Sequence, residues 1–259
     1  MPADVLLDAA DVSRRFGGLV AVDGASLALV RGEVHALIGT NGAGKSTLVN
    51  VLSGEIPATG GRVRLLGRDV THWPQPRRAR AGLGRSYQRT TIFAQATVFE
   101  NCRLAAQAHF QRPLDLWRLA TRCPDSRELA EQAIERAALT AQAHRSAGTL
   151  SHGQKRQLEI AICLATAPQV LLLDEPLAGM GPEETERMLL LLAALKPGHA
   201  ILLVEHDMDA VFRIAERITV MVDGRVIASA EPDAIRGNAQ VQAAYLGDAA
   251  DAVESASVA

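Results

Sequence analysis

Apolar residues in this chain recur in short runs, and the period of the runs changes along its length. Val5 to Phe16 has the makings of a first strand, stopped by the turn signal Phe16-Gly17-Gly18. Ala25 to Val30 alternates as a second strand, and Arg31-Gly32 turns it into Glu33 to Ile38, which alternates and then becomes wholly apolar. Leu48, Val49, Val51 and Leu52 then fall at helical spacing within Ser46 to Gly54. A short strand follows at Val63 to Leu66, after the turn Thr59-Gly60-Gly61. Thr97 to His109 and Arg127 to Leu139 are rich in good helix formers, with Pro113 and Pro124 between them. Leu158, Ala161, Ile162 and Ala165 mark one face of a further helix, for which Ser151 is a natural N-cap.

The α/β pattern then resumes. Val170 to Leu173 and Ala200 to Val204 are unbroken apolar runs, as central parallel strands buried on both faces require. Pro182, with Glu183, Glu184 and Glu186 close behind, predicts a helix start that complements its dipole. Asp223-Gly224 predicts a hairpin turn between Ile218–Val222 and Arg225–Ala228. The pattern predicts an α/β fold interrupted by a helical insert from about Thr90 to Ala165. Arg77, Arg78 and Arg80 crowd together in Pro74 to Arg80. With no aromatics interleaved, they are expected on a solvated helix face.

Between the third strand and the first helix lies Gly39-Thr40-Asn41-Gly42-Ala43-Gly44-Lys45-Ser46-Thr47, which fits G-x-x-x-x-G-K-[ST]. Its glycines let several N–H groups turn onto one anion, and the helix N-terminus adds its unpaired N–H groups and a partial positive charge. Lys45 is placed to reach the outer phosphates of a nucleoside triphosphate, and the Ser46 hydroxyl to ligate Mg²⁺. The apolar run ending in Asp174-Glu175 puts two carboxylates at the C-terminal end of a buried strand, where α/β sheets place their ligands. Asp174 is expected to hold Mg²⁺, and Glu175 to orient or deprotonate an attacking water. His206 ends the next apolar run, on a strand expected beside that of Asp174.

Composition narrows the remaining possibilities. The chain has 259 residues and a formal net charge of −2, which argues against nucleic acid as a partner. The longest plain apolar run, Met188 to Leu195, falls far short of the ~20 residues of a membrane span. Met1 to Ala10 carries Asp4 and Asp8 and has no basic n-region, so no signal peptide is expected. Cys102, Cys123 and Cys163 are widely spaced, which suits a reduced protein without a zinc site.

Taken in order, the Lys45 loop, Gln88, Leu150-Ser151-His152-Gly153-Gln154, Asp174-Glu175-Pro176 and His206 resemble the ATP-binding cassette of ABC transporters. The 150–154 signature separates this pattern from other phosphate-loop kinases and GTPases, and no Asn-Lys-x-Asp guanine motif is present. Within the family, Phe16 to Gly24, Gly224 to Ala228 and Ala243-Ala244-Tyr245-Leu246-Gly247 resemble the branched-chain amino acid importer cassettes.

The resemblance implies a RecA-like core with an antiparallel β subdomain (1–89 and 166–230), a helical subdomain (90–165) and a C-terminal helical segment (231–247). These form one ATPase domain over 1–247, with 248–259 a disordered tail. It implies that Phe16 stacks on adenine and that residues 39–47 hold the phosphates. Gln88 would sense Mg²⁺ and couple to the membrane subunit. Ser151, Gly153 and Gln154 would belong to the signature that meets the γ-phosphate of an opposite cassette, and His206 would be the switch histidine.

Three residues depart from the family pattern: Thr40 where proline is common, His152 at the centre of the signature, and Gly181 where the loop often carries Asp. The implied protein is a cytoplasmic, membrane-peripheral ATPase using ATP and Mg²⁺. It would pair with a second cassette and drive a separate permease served by an extracytoplasmic solute-binding protein. Urea or amide transport, or a soluble ABC ATPase, are the alternatives. Ile92, Phe93, Val98 and Phe99 are the apolar anchors of the expected docking surface; some are expected to pack inside the insert and at least one to face a helix of the permease.

Overall fold

The structure, a computed structural model, describes residues 4–87, 92–110 and 124–244. Gln88, Pro113, Cys123, the Tyr245-Leu246-Gly247 segment and the tail lie outside them.

Two sheets are formed among the described residues. Strands β1 (Val5–Phe16), β2 (Leu19–Val30), β4 (Gly60–Leu65) and β5 (Arg68–Asp69) make an antiparallel sheet in the order β2-β1-β4-β5. Strands β3 (Val34–Gly39), β6 (Leu83–Arg85), β7 (Val170–Asp174), β8 (Ala200–Val204), β9 (Arg217–Val222) and β10 (Arg225–Ala230) make the second, in the order β10-β9-β3-β8-β7-β6. Only β10 runs antiparallel there, paired to β9 across the Asp223-Gly224 turn.

The unbroken apolar runs are explained by two-sided burial. On β7, Val170 and Leu172 enter one core while Leu171 and Leu173 enter another; Ala200, Leu202 and Val204 of β8 part from Ile201 and Leu203 in the same way. The first core also holds the antiparallel sheet and α1 (Lys45–Ser53) with its buried Leu48, Val49, Val51 and Leu52. The second is filled by α3 (Val98–Phe110), α4 (Pro124–Arg136), α5 (His152–Leu164) and α6 (Pro182–Leu195). The phosphate-loop helix therefore lies between the two sheets, and the helical insert covers the opposite face.

Some sequence expectations need correction. The second strand starts at Leu19, before Ala25, because Phe16↔Leu19 closes a tight hairpin that pairs β2 with β1 along its length. Arg78, in α2 (Gln75–Arg80), is not solvated but 1% exposed. Its Nη1 donates to the carbonyls of Val51 (2.8 Å) and Leu52 (2.7 Å), its Nη2 to Thr71 (3.0 Å) and its Nε to Trp73 (3.0 Å). The last carbonyls of α1 have no partners within their own helix, and a buried guanidinium satisfies them and complements the dipole. Burial lowers the Arg78 pKa to about 10, which still leaves it charged at neutral pH. The four apolar anchors need no correction: Val98 is fully buried and Ile92 and Phe99 pack on the core, as allowed for some of them, whereas Phe93 is 64% exposed.

Candidate functional site

The β3-to-α1 connection forms one wall of a cleft of about 580 Å³. Gly39 ends β3 and Gly44 caps α1 in the left-handed region at φ 95°, with no side chain capping the helix. A Cβ on Gly44 would lie 2.3 Å from the Ala21 carbonyl oxygen, so only glycine lets the loop pass this close to β2. The loop is braced from outside: Gly224 N–H donates to Ala43 O (3.0 Å) and Asp23 N–H to Gly224 O (2.8 Å). An Arg225–Asp23 ion pair closes the same corner.

Asn41, Gly42, Ala43, Gly44, Lys45, Ser46 and Thr47 all line the cleft. Thr40 contributes its carbonyl, which with that of Gly39 accepts from Lys45 Nζ at 2.8 and 2.6 Å. The ammonium is thus folded back over the loop's mouth. Phe16, 45% exposed at the end of β1, forms the far wall with Leu19 and Val20, and the Arg14 guanidinium lies 4.4 Å from its ring centre. An apolar, ring-bearing wall opposite an N–H-rich cradle suits a base at one end and phosphates at the other.

The carboxylates arrive on β7. Asp174 is buried, and burial pushes its carboxyl above the usual range. The Arg85 guanidinium, 4.0 Å away, and Lys45 pull the other way, while Glu175 adds to the rise. Glu175 faces the cleft from a backbone at φ 50°, a conformation that costs a non-glycine residue energy and clusters at functional sites. Its N–H donates to Val204 O (2.9 Å), which ties the turn to β8. His206 follows β8, beside the strand of Asp174 as expected, with its side chain 69% exposed.

Ser151, Gly153 and Gln154 stand elsewhere, at the N-terminus of α5. Ser151 Oγ accepts from Gln154 N–H (3.2 Å), and the Gln154 side chain accepts from Ser151 N–H (3.1 Å), a complete capping box. None of the three lines the phosphate-loop cleft; they border a separate cavity of about 50 Å³. His152 Nε2 is 3.0 Å from Ala178 O, in the loop after Glu175. Gly181, the third departure, is the N-cap of α6.

The sequence reading missed two buried charges. Arg85, at the end of β6, binds Asn50 Oδ1 (2.6 Å), Ser53 Oγ (2.7 Å) and Glu55 (2.7 Å) and so joins α1 to the strand beside that of Asp174. The signal was a lone arginine in the short strand leading to Gln88. Glu205, 1% exposed, accepts from the N–H groups of Leu177 (2.8 Å) and His206 (3.3 Å). Burial raises its pKa and those hydrogen bonds oppose the rise. Its signal matched that of Asp174, an acid directly after an apolar run. Cys102 and Cys163 are buried and their thiols pushed up to about 12, which leaves them unreactive.

The family model for ABC transporters matches residues 22–178, more than half of the chain. The chain belongs to that family: it is an ATP-binding cassette, an ATPase with a phosphate-loop core, an antiparallel β region and a helical region. As such it binds ATP, and membership implies a permease partner and pairing between cassettes. A second family model, for branched-chain amino acid ATP-binding cassette transporters, matches residues 225–251. The high-affinity branched-chain amino acid transport ATP-binding protein BraF of Pseudomonas aeruginosa is 40% identical over 94% of this chain and 98% of its own length. LivG of Escherichia coli, of the same description, is 41% identical with the same coverage. A crystal structure of an ATP-binding cassette of an ABC transporter in its ADP conformation superimposes with a TM-score of 0.84 at 30% identity, covering 94% of this chain and 99% of that one.

Proposed function

We propose that this chain energises the uptake of branched-chain or related amino acids through a separate permease. The observation that carries the reading is the end-to-end similarity, at about 40% identity, to BraF and LivG, high-affinity transport ATP-binding proteins for branched-chain amino acids. Among the described residues no helix is long and apolar enough to cross a membrane. In this reading the chain works from the cytoplasmic face of the cell membrane, and an extracytoplasmic binding protein delivers the solute. The proposed division is a core with a β subdomain (1–89 and 166–230), a helical subdomain (90–165) and a C-terminal segment (231–247).

In the proposed mechanism Phe16 stacks on the adenine. The N–H groups of residues 39–47 turn onto the phosphates, and Lys45 leaves the carbonyls of Gly39 and Thr40 for the outer phosphates. Ser46, Asp174 and Gln88 would hold Mg²⁺, which supplies charge neutralisation on the β- and γ-phosphates when bound. The donors fit that ion: the Ser46 hydroxyl lines the cleft and the Asp174 carboxylate ends β7, both hard oxygen donors, and Mg²⁺ commonly takes one or two protein oxygens with phosphates and water. Glu175 accepts the proton of the attacking water, His206 faces the γ-phosphate from the next strand, and Ser151, Gly153 and Gln154 serve the partner's site.

The test is reconstitution with the permease and binding protein that co-purify with the chain from native cells, measuring uptake of labelled leucine, urea and a short amide together with ATPase activity. Leucine uptake is expected; uptake of urea or amide alone would replace the substrate class. Phe93→Asp, at the exposed anchor, is expected to lower transport while the isolated cassette's ATPase stays near normal. Normal transport in that variant would move the docking surface elsewhere.

A further inference from the structure

The signature of this chain is held by an anion of its own. Gly153 N–H donates to Glu184 Oε1 at 3.2 Å, and Ser151 Oγ donates to the same oxygen at 3.4 Å. Because Ser151 Oγ already accepts from Gln154 N–H, its proton is the part left to give. Two donors at the N-terminus of a 13-residue helix thus converge on one carboxylate oxygen, where the dipole also favours negative charge. The fit is close: a Cβ on Gly153 would stand 2.7 Å from that oxygen.

We infer that Glu184 is a further working residue of ATP-dependent pairing: its carboxylate occupies the donors that receive the partner's γ-phosphate, and pairing exchanges one anion for the other. The inference rests on the reading that Ser151 and Gly153 meet that phosphate. A terminal phosphate carries more charge and more acceptor oxygens than a carboxylate, so it wins these donors when the partner presents it. Arg187, paired with Glu183 at 3.3 Å on the exposed face of α6, lies three residues along the helix and borders the same small cavity, so a released carboxylate has a cation one turn away that it would share with Glu183. ADP has no γ-phosphate and leaves Glu184 in place.

The exchange has a consequence for the chemistry. Glu184 sits in the first turn of α6, nine residues after Glu175, and His152 binds Ala178 between them. Carboxylate and imidazole therefore clamp both ends of the loop that leaves Glu175. Release of Glu184 by a partner's phosphate loosens the α6 end of that clamp, so the loop behind one chain's general base responds to ATP held by the other.

The test is ATP-dependent pairing by sedimentation velocity in full-length protein carrying Glu175→Gln, so that ATP persists. Adding Glu184→Ala is expected to lower the ATP concentration for half-maximal pairing by roughly fivefold, as loss of a partly exposed charged competitor should. Glu184→Gln keeps an acceptor without the charge and is expected to lower it less. A merely structural role would raise the requirement, never lower it. If Glu184→Ala fails to fold, Glu184→Gln decides alone. An unchanged or raised requirement overturns the inference. Gly153→Asp in the same assay is expected to abolish pairing. If Gly153→Asp still pairs, the signature reading falls and this inference with it; if it does not pair and the Glu184 variants behave as the parent, only the inference falls.

Discussion

Two helices of this cassette have N-termini suited to anions, and they are built differently. α1 begins at a left-handed glycine, no side chain caps it, and its first turn opens on a cleft of about 580 Å³. α5 begins with a full capping box, its donors lean on Glu184, and the cavity beside it holds only about 50 Å³. The first is arranged to take a whole nucleotide by itself. The second has its needs met internally and offers room for an oxygen or two of a phosphate that something else carries. A glycine cradle gives affinity; a capped helix gives a contact that can be exchanged.

If chemistry belongs to the α1 side, Glu175→Gln has the largest effect. Turnover should fall by ~10²–10⁴ while ATP binding persists, because an amide orders the water but cannot take its proton. Single-turnover hydrolysis beside a nucleotide-binding titration checks both halves, and near-normal turnover would pass the base role to His206. Lys45→Ala should come next. Removing the cation now shared by the Gly39 and Thr40 carbonyls should weaken ATP binding by roughly 10- to 100-fold, the range of a charged hydrogen bond, without unfolding the chain. Titration with a fluorescent nucleotide measures it.

A smaller effect probes the strand under the α1 loop. His35, on β3, is 1% exposed, 3.1 Å from Ala28 O and 2.7 Å from Thr219 Oγ1. Burial above all lowers its pKa from 6.5 to about 4. Between those values the unfolded chain binds more protons than the folded one, so stability is present above pH 6.5 and lost as pH falls toward 4. By pH 5 the loss should reach about 2 kcal/mol. Urea midpoints at pH 7 and pH 5 read it, and His35→Gln should flatten the dependence.

The same contrast explains what was legible in the sequence. The phosphate loop, the Asp174-Glu175 pair and the Ser151 cap are local: each depends on residues a few positions apart, and each stands where its pattern placed it. Arg78, Arg85, Glu205 and Glu184 depend on elements far away in the chain. Arg78 read as solvated because nothing near it shows that the end of α1 lies overhead. Glu184 read as one of several first-turn acids, because its tie to Gly153 spans 31 residues and a change of helix. Val98 and Phe93 are apolar neighbours in the sequence, but Val98 opens α3 and is buried, whereas Phe93 lies in the irregular segment before that helix and stays on the surface.

The central claim is that one working site takes its phosphate loop from one chain and its signature from another. Mixing two inactive variants, Lys45→Ala and Gly153→Asp, tests it most directly. In a mixed pair one composite site carries both lesions and the other carries neither. Because neither variant is expected to pair well with itself, mixed pairs, each with one intact site, should restore between about a quarter (random pairing) and about half (mixed pairs only) of wild-type ATPase activity. A mixture as inactive as its components, under conditions where the wild type pairs and turns over, would contradict the shared site.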